Sequence, residues 1–468
     1  MWCSRPARAL APLAAATTGL ALRRAHCDTQ PAPVRIEAKT LIPGRGDPVT
    51  NGVVVMRGQT VEYAGPAQGA PQTPGAKVYK GDTVMPGMWD CHTHFIGCGD
   101  AHRPIFDEIL KTSSAQRALR CVAHAAKMLD AGFTSAREVG GMGDALRPAI
   151  DDGSIRGPHV YYAGDILSPT GGHADMHEVP MSCYNACPHN IGVLCDGVPE
   201  CLKTVRMQFR KGASLIKICA SGGVMSQVDD PMHQQFSDEE LKAIVDEARR
   251  MDAVVAAHCH GIAGIMAALR AGVHTIEHGS YLTEEAADIM KNQGAILVPT
   301  RWIVETLRGI IGDRKMGDAP PAGLTQWQSD KLINVYEQHR TSVSMAISKG
   351  VKIAVGCDLF VAREFGYNGK ELEYLVGMGM TPLQAIEAAT ANGPETLGPR
   401  APKSGQLRPG YDADVIVLSA NPIQDIGVLG DASKVTHVFK HGVLVKPVEP
   451  SGGRAGRAYA QWDRATPK

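Results

Sequence analysis

The amino-acid sequence predicts an α/β fold in which a (β/α)8 TIM barrel is joined to a small β-sandwich domain built from both the N-terminal and the C-terminal segments. Three observations support this prediction: β-rich segments near both ends, eight short apolar runs between them, and helical patterns that alternate with those runs. Apolar strands that alternate with helices are typical of a parallel sheet buried on both faces, and eight such strands form a barrel.

The predicted sandwich depends on two segments in which apolar and polar residues alternate. The first, 34–85, runs through VRIEAKTLI, GVVVMRGQTVEYAGP and AKVYKGDTVM, with Gly and Asn breaks that indicate a small antiparallel sheet. A similar pattern returns in SGQLRPGYDADVIVLSANP (404–422) and KVTHVFKHGVLVK (434–446). We therefore expect one composite sandwich assembled from both ends of the chain.

The predicted barrel strands are short apolar runs that end in Gly or in polar residues. They are GMWDCHTHF (87–95), FTSAREVGG (133–141), HVYYAGDIL (159–167), SLIKICASGG (214–223), AVVAAHCHG (253–261), HTIEHGSYL (274–282), AILVPTR (295–301) and VKIAVGCDL (351–359). Two helices have clear starts. Ser237 and Glu240 form a capping box, and Thr381 is an N-cap followed by Pro382 at the first helical position.

A chain of 468 residues is long enough for a large catalytic domain and a smaller appended one. The segments that we expect are a leader at 1–30, the first part of the sandwich at 31–85, the barrel at 86–400, the second part of the sandwich at 401–449 and a C-terminal tail at 450–468.

The charge balance and the leader limit the partners and the location of the chain. Lys plus Arg and Asp plus Glu both number 48, so we expect neither a nucleic-acid face nor a polybasic membrane patch. No apolar run approaches the roughly 20 residues that span a bilayer. The first 27 residues contain four arginines and no acid. They suit a mitochondrial presequence better than a secretory signal, and a leader without targeting function stays open, with a cytoplasmic or secreted location as the alternative.

Polar side chains end several of the predicted strands, where barrel enzymes build their sites. They are His92, His94, His258, His260, His278 and Asp358. His92 and His94 are two residues apart, as are His258 and His260, so both members of each pair point the same way from a strand. Neutral imidazole and carboxylate are ligands for zinc and similar ions, and their shared position at strand ends indicates a metal site rather than packing.

Lys217 lies in the middle of the apolar run Leu215–Ile218, where burial of an ammonium group is costly. Two interpretations stay open from the residues alone. Lys217 could reach a salt bridge or the barrel mouth, or its amine could react with carbon dioxide to give a carbamate that bridges two cations. Four cysteines, Cys183, Cys187, Cys195 and Cys201, occupy a loop whose spacing matches no C-x-x-C pair. Free thiols are the favoured interpretation there, with zinc binding or disulfides as alternatives.

Several motifs in order along the chain resemble the amidohydrolase superfamily. They are VMPGMWDCHTH, LIKICASGGVMS, AAHCHG, TIEHGS, VGCD and the closing GQLRPGYDADVIVL. QQFSDEELKAIVDEA, HGIAGIMAALRAG and MTPLQAIEAATANGP look like the branch that contains ochratoxinase and Xaa-Pro dipeptidase and carboxypeptidase-like members. The sequence departs from that branch after Asp358, where Leu-Phe-Val-Ala-Arg-Glu replaces a Thr/Ala/Gly-rich turn.

The resemblance implies two divalent metal ions per chain, with zinc as the expected metal. It implies that His92 and His94 hold one ion with Asp358, that His258 and His278 hold the other, and that N6-carboxylated Lys217 bridges them. A metal-bridging hydroxide would then attack an amide carbonyl, and Asp358 would transfer its proton to the departing amine. His260 would assist from beside the ligands or stabilise the oxyanion, with a structural histidine as the alternative.

The implied substrate is an N-acyl amino acid or a short, dipeptide-like molecule, cleaved in a carboxypeptidase-, prolidase- or ochratoxinase-like reaction. His173 resembles a position that faces the substrate. Arg137 and Tyr281 could bind a substrate carboxylate, although a salt bridge or packing within the barrel explains them equally well. The resemblance also implies a homo-oligomer, with an octamer as one form. Two alternatives are a cyclic-amide hydrolase resembling imidazolonepropionase, with one metal ion, and a non-catalytic scaffold on the same fold.

Overall fold

The computed structural model describes residues 32–99, 105–177, 179–186 and 191–446. The predicted leader and C-terminal tail lie outside these residues, as does Cys187 of the cysteine loop. No helix within the described residues is long and apolar enough to span a membrane.

The strands are β1 (Val34–Leu41), β2 (Val49–Arg57), β3 (Thr60–Pro66), β4 (Lys77–Pro86), β5 (Met88–Cys98), β6 (Phe133–Glu138), β7 (His159–Tyr162), β8 (Ile166–Ser168), β9 (Gly192–Leu194), β10 (Ile216–Cys219), β11 (Val255–Cys259), β12 (Thr275–His278), β13 (Ile296–Val298), β14 (Lys352–Ile353), β15 (Leu359–Val361), β16 (Val415–Leu418), β17 (Val435–Lys440) and β18 (Val443–Lys446). The helices are α1 (Ile105–Lys111), α2 (Ser114–Asp130), α3 (Gly143–Asp151), α4 (Met181–Ala186), α5 (Gly197–Arg210), α6 (Asp238–Arg249), α7 (Ile262–Ala271), α8 (Glu284–Gln293), α9 (Arg301–Ile311), α10 (Gln326–Lys349), α11 (Lys370–Gly377), α12 (Pro382–Ala389) and α13 (Asn392–Glu395).

Both ends of the described chain contribute to one seven-stranded sheet, as the sequence predicts. Its order is β18-β17-β16-β4-β1-β2-β3, and β16 joins the two ends by pairing antiparallel with β4. The other pairs are also antiparallel except β1 with β4, so the sheet is mixed rather than wholly antiparallel. Only Gly87 separates β4 from β5, so the sheet leads directly into the first barrel strand. Ile36, Val54 and Phe439 contribute to its apolar core.

The strands between β4 and β16 form two parallel sheets. Their orders are β14-β13-β12-β11-β10-β8-β9 and β15-β5-β6-β7. Backbone hydrogen bonds cross both places where the sheets meet: Ser214 N–H donates to Tyr162 O at 2.7 Å, and Cys91 N–H donates to Val355 O at 2.7 Å. The α/β architecture therefore has the predicted parallel strands, and their carboxyl ends face the same side.

Each of the eight predicted runs contains an observed strand, and the third is divided into β7 and β8. The division falls at Ala163–Asp165, where Gly164 has a φ of +77° that breaks an extended strand. Both predicted helix starts are confirmed. Ser237 and Glu240 form the capping box of α6, and Thr381 caps α12 ahead of Pro382.

Thr300, the residue before helix α9, does not cap the helix with its side chain. Thr300 has a φ of +58°, and its hydroxyl lies 2.7 Å from Nδ1 of His278 instead. The carboxyl group of Glu371 on α11 accepts the N–H groups of Arg301 and Trp302 at 2.9 and 2.6 Å. A residue distant in sequence thus satisfies the amide groups that a helix start leaves free.

Burial raises the pKa of Glu371 to about 8 from an ordinary 4.5, so the folded chain retains a proton that the unfolded chain loses. This contribution to stability is complete below pH 4.5 and is lost as the pH rises towards 8. We expect the metal-free wild-type chain to lose stability relative to Glu371→Gln across that window, measured as the difference in thermal midpoint at pH 5 and pH 8. Glu373→Gln on the same helix controls for removal of a carboxylate. A difference that stays constant with pH would contradict the prediction.

Candidate metal centre

Seven polar side chains converge at the carboxyl ends of the parallel strands. They are His92, His94, Lys217, His258, His260, His278 and Asp358. The ligand atoms of His258, His260 and His278 lie within 4.8 Å of one another, and so do those of His92, His278 and Asp358. His278 belongs to both groups, so the two groups form one continuous cluster. The seven side chains together are called the metal cluster below.

His92 and His94 lie two residues apart on β5 and meet Asp358 from one side. The Nε2 atoms of His92 and His94 lie 3.5 and 3.1 Å from Oδ1 of Asp358. The backbone of Asp358 has a φ of +58°, and its N–H donates to the carbonyl of His92 at 2.7 Å. This turn after β14 places the carboxylate directly over the end of β5.

The other group comes from β11 and β12. The ring centroids of His258 and His260 lie 4.7 and 4.8 Å from that of His278. The Nδ1 atom of His278 contacts the Thr300 hydroxyl, and Nδ1 of His260 lies 2.7 Å from the Ser280 hydroxyl. A partner on one ring nitrogen fixes the orientation of the imidazole and leaves the other nitrogen for an ion.

Burial keeps these imidazoles neutral. It lowers the pKa of His92 to about 4, with Lys217 as the next cause, and it lowers the pKa of His258 and of His278 well below the ordinary value. Neutral imidazole is the form that binds a divalent cation. The donor set therefore fits a metal ion in its protonation state as well as in its residue types.

Lys217 is the buried cation that the sequence singled out. Its side chain projects from β10 into the cluster, and its Nζ atom has no hydrogen-bond partner among the described residues. Burial lowers the pKa of Lys217, so the neutral amine is favoured relative to an exposed lysine. An unpaired buried amine is costly unless another group binds it or it is modified.

Arg137 lies behind the metal cluster, not in the cavity. Its guanidinium is fully buried and pairs with Oε1 of Glu277 at 2.7 Å, while Nε donates to the carbonyl of Cys91 at 2.5 Å. The other oxygen of Glu277 lies 2.8 Å from Nδ1 of His92. Of the two interpretations left open by the sequence, the salt bridge is the one that the structure shows, and Arg137 is not among the residues that line the cavity.

Glu277 is a functional residue that the sequence reasoning missed. Arg137, His92 and Lys217 together lower its pKa, although burial alone would raise it, so it remains a carboxylate. Glu277 directly precedes His278 in TIEH. His278 has a φ of +70°, which departs from extended strand geometry, and the side chains of both residues lie against His92. An acid in an apolar strand was the available signal, because a buried carboxylate needs a cation or a hydrogen-bond donor.

Asp90 holds the backbone that carries two of the ligands. Its Oδ1 accepts the N–H groups of His92 and Cys357, each at 3.1 Å, and its Oδ2 accepts from Nδ2 of Asn368 at 2.8 Å. Cys357 immediately precedes Asp358, so one carboxylate positions the ligand-bearing turns of β5 and of the segment after β14.

The metal cluster forms the floor of a cavity of about 570 Å3. His173 lines this cavity, and its ring stacks on that of His258 with centroids 4.2 Å apart. Its Nδ1 lies 2.9 Å from the hydroxyl of Ser226, in the loop after β10. Tyr281 does not line the cavity; it packs against the apolar cluster that supplies one wall.

Lys331 on α10 organises the loop that carries Ser226, a role that the sequence did not indicate. Its buried Nζ donates to the carbonyls of Gly223, Ser226 and Asp229 at 2.8, 2.6 and 3.2 Å. The contact joins positions about 100 residues apart in the chain. Sequence spacing alone cannot show such a pairing.

The cysteine loop shows no metal site among its described residues. Cys195 and Cys201 are buried free thiols with sulfur atoms 3.8 Å apart. The side chain of Cys183 lies outside the described set, together with Cys187.

The chain is similar to known proteins over the range that contains these residues. The model of the amidohydrolase family matches residues 83–445, a range that contains the whole metal cluster. Ochratoxinase from Aspergillus niger is 41% identical over 426 residues, which cover 88% of this chain and 86% of that protein.

Solved structures agree with the sequence comparison. The crystal structure of A. niger ochratoxinase has a TM-score of 0.82 at 40% identity and covers 89% of this chain and 96% of that one. A Xaa-Pro dipeptidase crystallised with methionine in its active site has a TM-score of 0.78 at 31% identity and covers 88% and 100%. The similarity thus extends over nearly the whole of both structures.

The contact between Glu277 and His92 generates a prediction about metal affinity. Glu277→Gln removes the negative charge that orients the imidazole and leaves Arg137 without its ion-pair partner. We expect zinc affinity to fall about 10- to 100-fold, measured by competition with a chelator. Glu387→Gln, which removes a carboxylate from the partly exposed pair with Arg45, should leave the affinity unchanged. Wild-type affinity in Glu277→Gln would show that this contact does not tune the metal site.

Proposed function

Because the chain belongs to the amidohydrolase family, and so hydrolyses carbon–nitrogen amide bonds, we propose that it cleaves an N-acyl amino acid or a dipeptide-like substrate with two divalent metal ions. The observation that carries this proposal is the buried amine of Lys217, which has no hydrogen-bond partner among the described residues and lies amid the histidine and aspartate cluster. Such an amine has a clear chemical role if its carbamate bridges two ions.

In the proposed site, His92, His94 and Asp358 hold one ion, and His258 and His278 hold the other. Two facts support this division: Asp358 contacts both β5 histidines, and His258 and His278 lie together in a group with His260, although His278 also neighbours His92 and Asp358. Zinc is the metal we expect, because imidazole nitrogen and carboxylate oxygen are among its usual ligands.

Lys217 would bridge the ions as its N6-carboxylate. The neutral amine adds to carbon dioxide and releases a proton, which gives a carbamate with one negative charge. Burial lowers the pKa of Lys217 and so favours the reactive neutral form. The product replaces an unpaired buried amine with an anion that neighbouring cations stabilise, which supports the bridging role.

When bound, the two ions would acidify a water molecule and polarise the amide carbonyl. Asp358 is placed to accept the proton of that water and pass it to the departing amine. Burial alone would raise the pKa of Asp358, but its contacts with His92 and His94 lower that pKa below the ordinary value, which favours the carboxylate form that can accept a proton. His260 stacks on His278 at the cavity floor, where it can support the ligands or the developing oxyanion.

The substrate class is supported by the relatives and by the cavity. The two structures compared above are an ochratoxinase and a Xaa-Pro dipeptidase, and the latter was crystallised with a bound amino acid. The cavity of about 570 Å3 falls in the range that holds a small molecule, with a polar floor and an apolar wall. His173 lines the cavity and stacks on His258, and we assign it a substrate contact.

Asp358→Asn tests the proposed proton transfer. The amide retains the size of the side chain but cannot accept a proton, so we expect turnover of N-acyl amino acids or Xaa-Pro dipeptides to fall at least about 100-fold. Activity would be measured over a panel of these substrates with zinc restored, with circular dichroism to verify the fold. Near-normal turnover in the variant would remove Asp358 from this role. No cleavage of any panel member by the wild-type chain would overturn the proposed substrate class.

Metal content tests the bridging role of Lys217. The wild-type chain should bind about two zinc ions, and Lys217→Ala should bind fewer and lose turnover, measured by elemental analysis and by assay. Added acetate should restore part of the metal content in the variant, because a free carboxylate can enter the space left by the lysine. A single ion in the wild-type chain would instead favour a mononuclear, cyclic-amide hydrolase.

A further inference from the structure

Arg363 is a cation at the cavity that the proposed metal chemistry does not use. It follows β15, five residues after Asp358, and its side chain lines the cavity. Among the described residues that line this space, the lysine and arginine side chains are those of Lys217 and Arg363. Lys217 is buried in the floor, whereas Arg363 is exposed. A molecule that enters the cavity can therefore contact the guanidinium of Arg363 directly.

The nearby carboxyl groups do not neutralise this guanidinium. No ion pair of Arg363 is found within the described part of the chain, and Glu108, which also lines the cavity, pairs with Arg120. Glu364 lies next to Arg363 but is buried, which raises its pKa to about 7, and no ion pair between its carboxyl group and Arg363 is found among the described residues. Among the described residues, the guanidinium of Arg363 therefore has no ion-pair partner.

The wall formed by α9 and α10 has a different character. Ile303, Val304 and Leu307 on α9 join Leu332 and Val335 on α10 in an apolar cluster that lines the cavity. Such a surface stabilises an aliphatic or aromatic side chain by removing it from water. The cavity therefore combines a metal-binding floor, an apolar wall and a cation.

These three features match an acyl amino acid with an apolar side chain. A guanidinium pairs with a carboxylate through two parallel hydrogen bonds, which fixes the orientation of the bound group. Arg137, which the sequence left open as a carboxylate-binding residue, is fully buried in its pair with Glu277.

We propose that Arg363 forms the subsite for the free carboxylate of the amino-acid portion of the substrate, so that the protein selects anionic acyl amino acids over their neutral amides. This assignment rests on the proposed function for its reaction, but the binding of the amino acid can be measured without turnover.

The experiment compares wild type, Arg363→Ala and Arg363→Lys in the zinc-loaded full chain. Kinetics would use N-acetyl-L-phenylalanine and the same compound with its carboxylate converted to an amide. Calorimetry would use L-phenylalanine and 2-phenylethylamine, which lacks the carboxylate and has no amide bond to cleave. Arg340→Ala is the matched control, because Arg340 is exposed on α10 and does not line the cavity.

We expect Arg363→Ala to raise KM for the acid by about tenfold or more with little change in kcat, and to weaken phenylalanine binding to a similar extent. Binding and kinetics of the two compounds that lack the carboxylate should not change in Arg363→Ala. Arg340→Ala should behave as the wild type does with every compound, and Arg363→Lys should lie between wild type and Arg363→Ala. Equal effects on acid and amide, or no effect, would overturn the subsite. The wild-type chain could fail to turn over any substrate while its binding of phenylalanine still depends on Arg363. That result would contradict the proposed reaction but support the subsite.

Discussion

The ion pair between Arg137 and Glu277 joins β5, β6 and β12 inside the barrel, directly beneath the metal cluster. The barrel interior excludes water, so each of these charges depends on the other and on the hydrogen bonds around them. One oxygen of Glu277 pairs with Arg137, and the other contacts Nδ1 of His92. The same carboxylate therefore balances the buried charge of Arg137 and orients a candidate metal ligand. The same few side chains therefore stabilise the buried charges and position a candidate metal ligand.

A comparable connection joins His278 to the start of α9. Thr300 contacts the imidazole of His278 and so cannot cap its helix, and Glu371 from α11 supplies the missing acceptor. The same helix contributes Ile303 and Leu307 to the apolar wall of the cavity. The floor and the wall are thus linked through one helix start, and a change in either ligand orientation or helix position is expected to affect the other.

The arrangement of the cavity separates the general part of the chemistry from the selective part. The metal ligands project from the ends of rigid parallel strands, as catalytic residues in barrels do. The apolar wall and Arg363 come from helices and from the segment after β14, which lie outside the strand framework. In the proposed function, amide hydrolysis depends on the strands, and substrate preference depends on helices and segments outside the strand framework.

The strand pattern and the chemistry of the floor could be predicted from the sequence because both follow local rules. Alternation, apolar runs and capping residues have fixed spacing, and the pairs His92/His94 and His258/His260 point the same way on any strand. The amidohydrolase motifs then narrowed the function to amide hydrolysis. These inferences needed only neighbouring residues and the knowledge that parallel strands end on one side.

Contacts between distant segments were decided only by the tertiary structure. The sequence left Arg137 open between a substrate carboxylate and a salt bridge, and burial opposite Glu277 settled its position. It could not show that Lys331 holds the loop after β10, or that Arg363 reaches the cavity with no ion-pair partner in the described part of the chain. A side chain's residue type determines which partners it can accept, but the distance to those partners depends on how remote strands and helices pack.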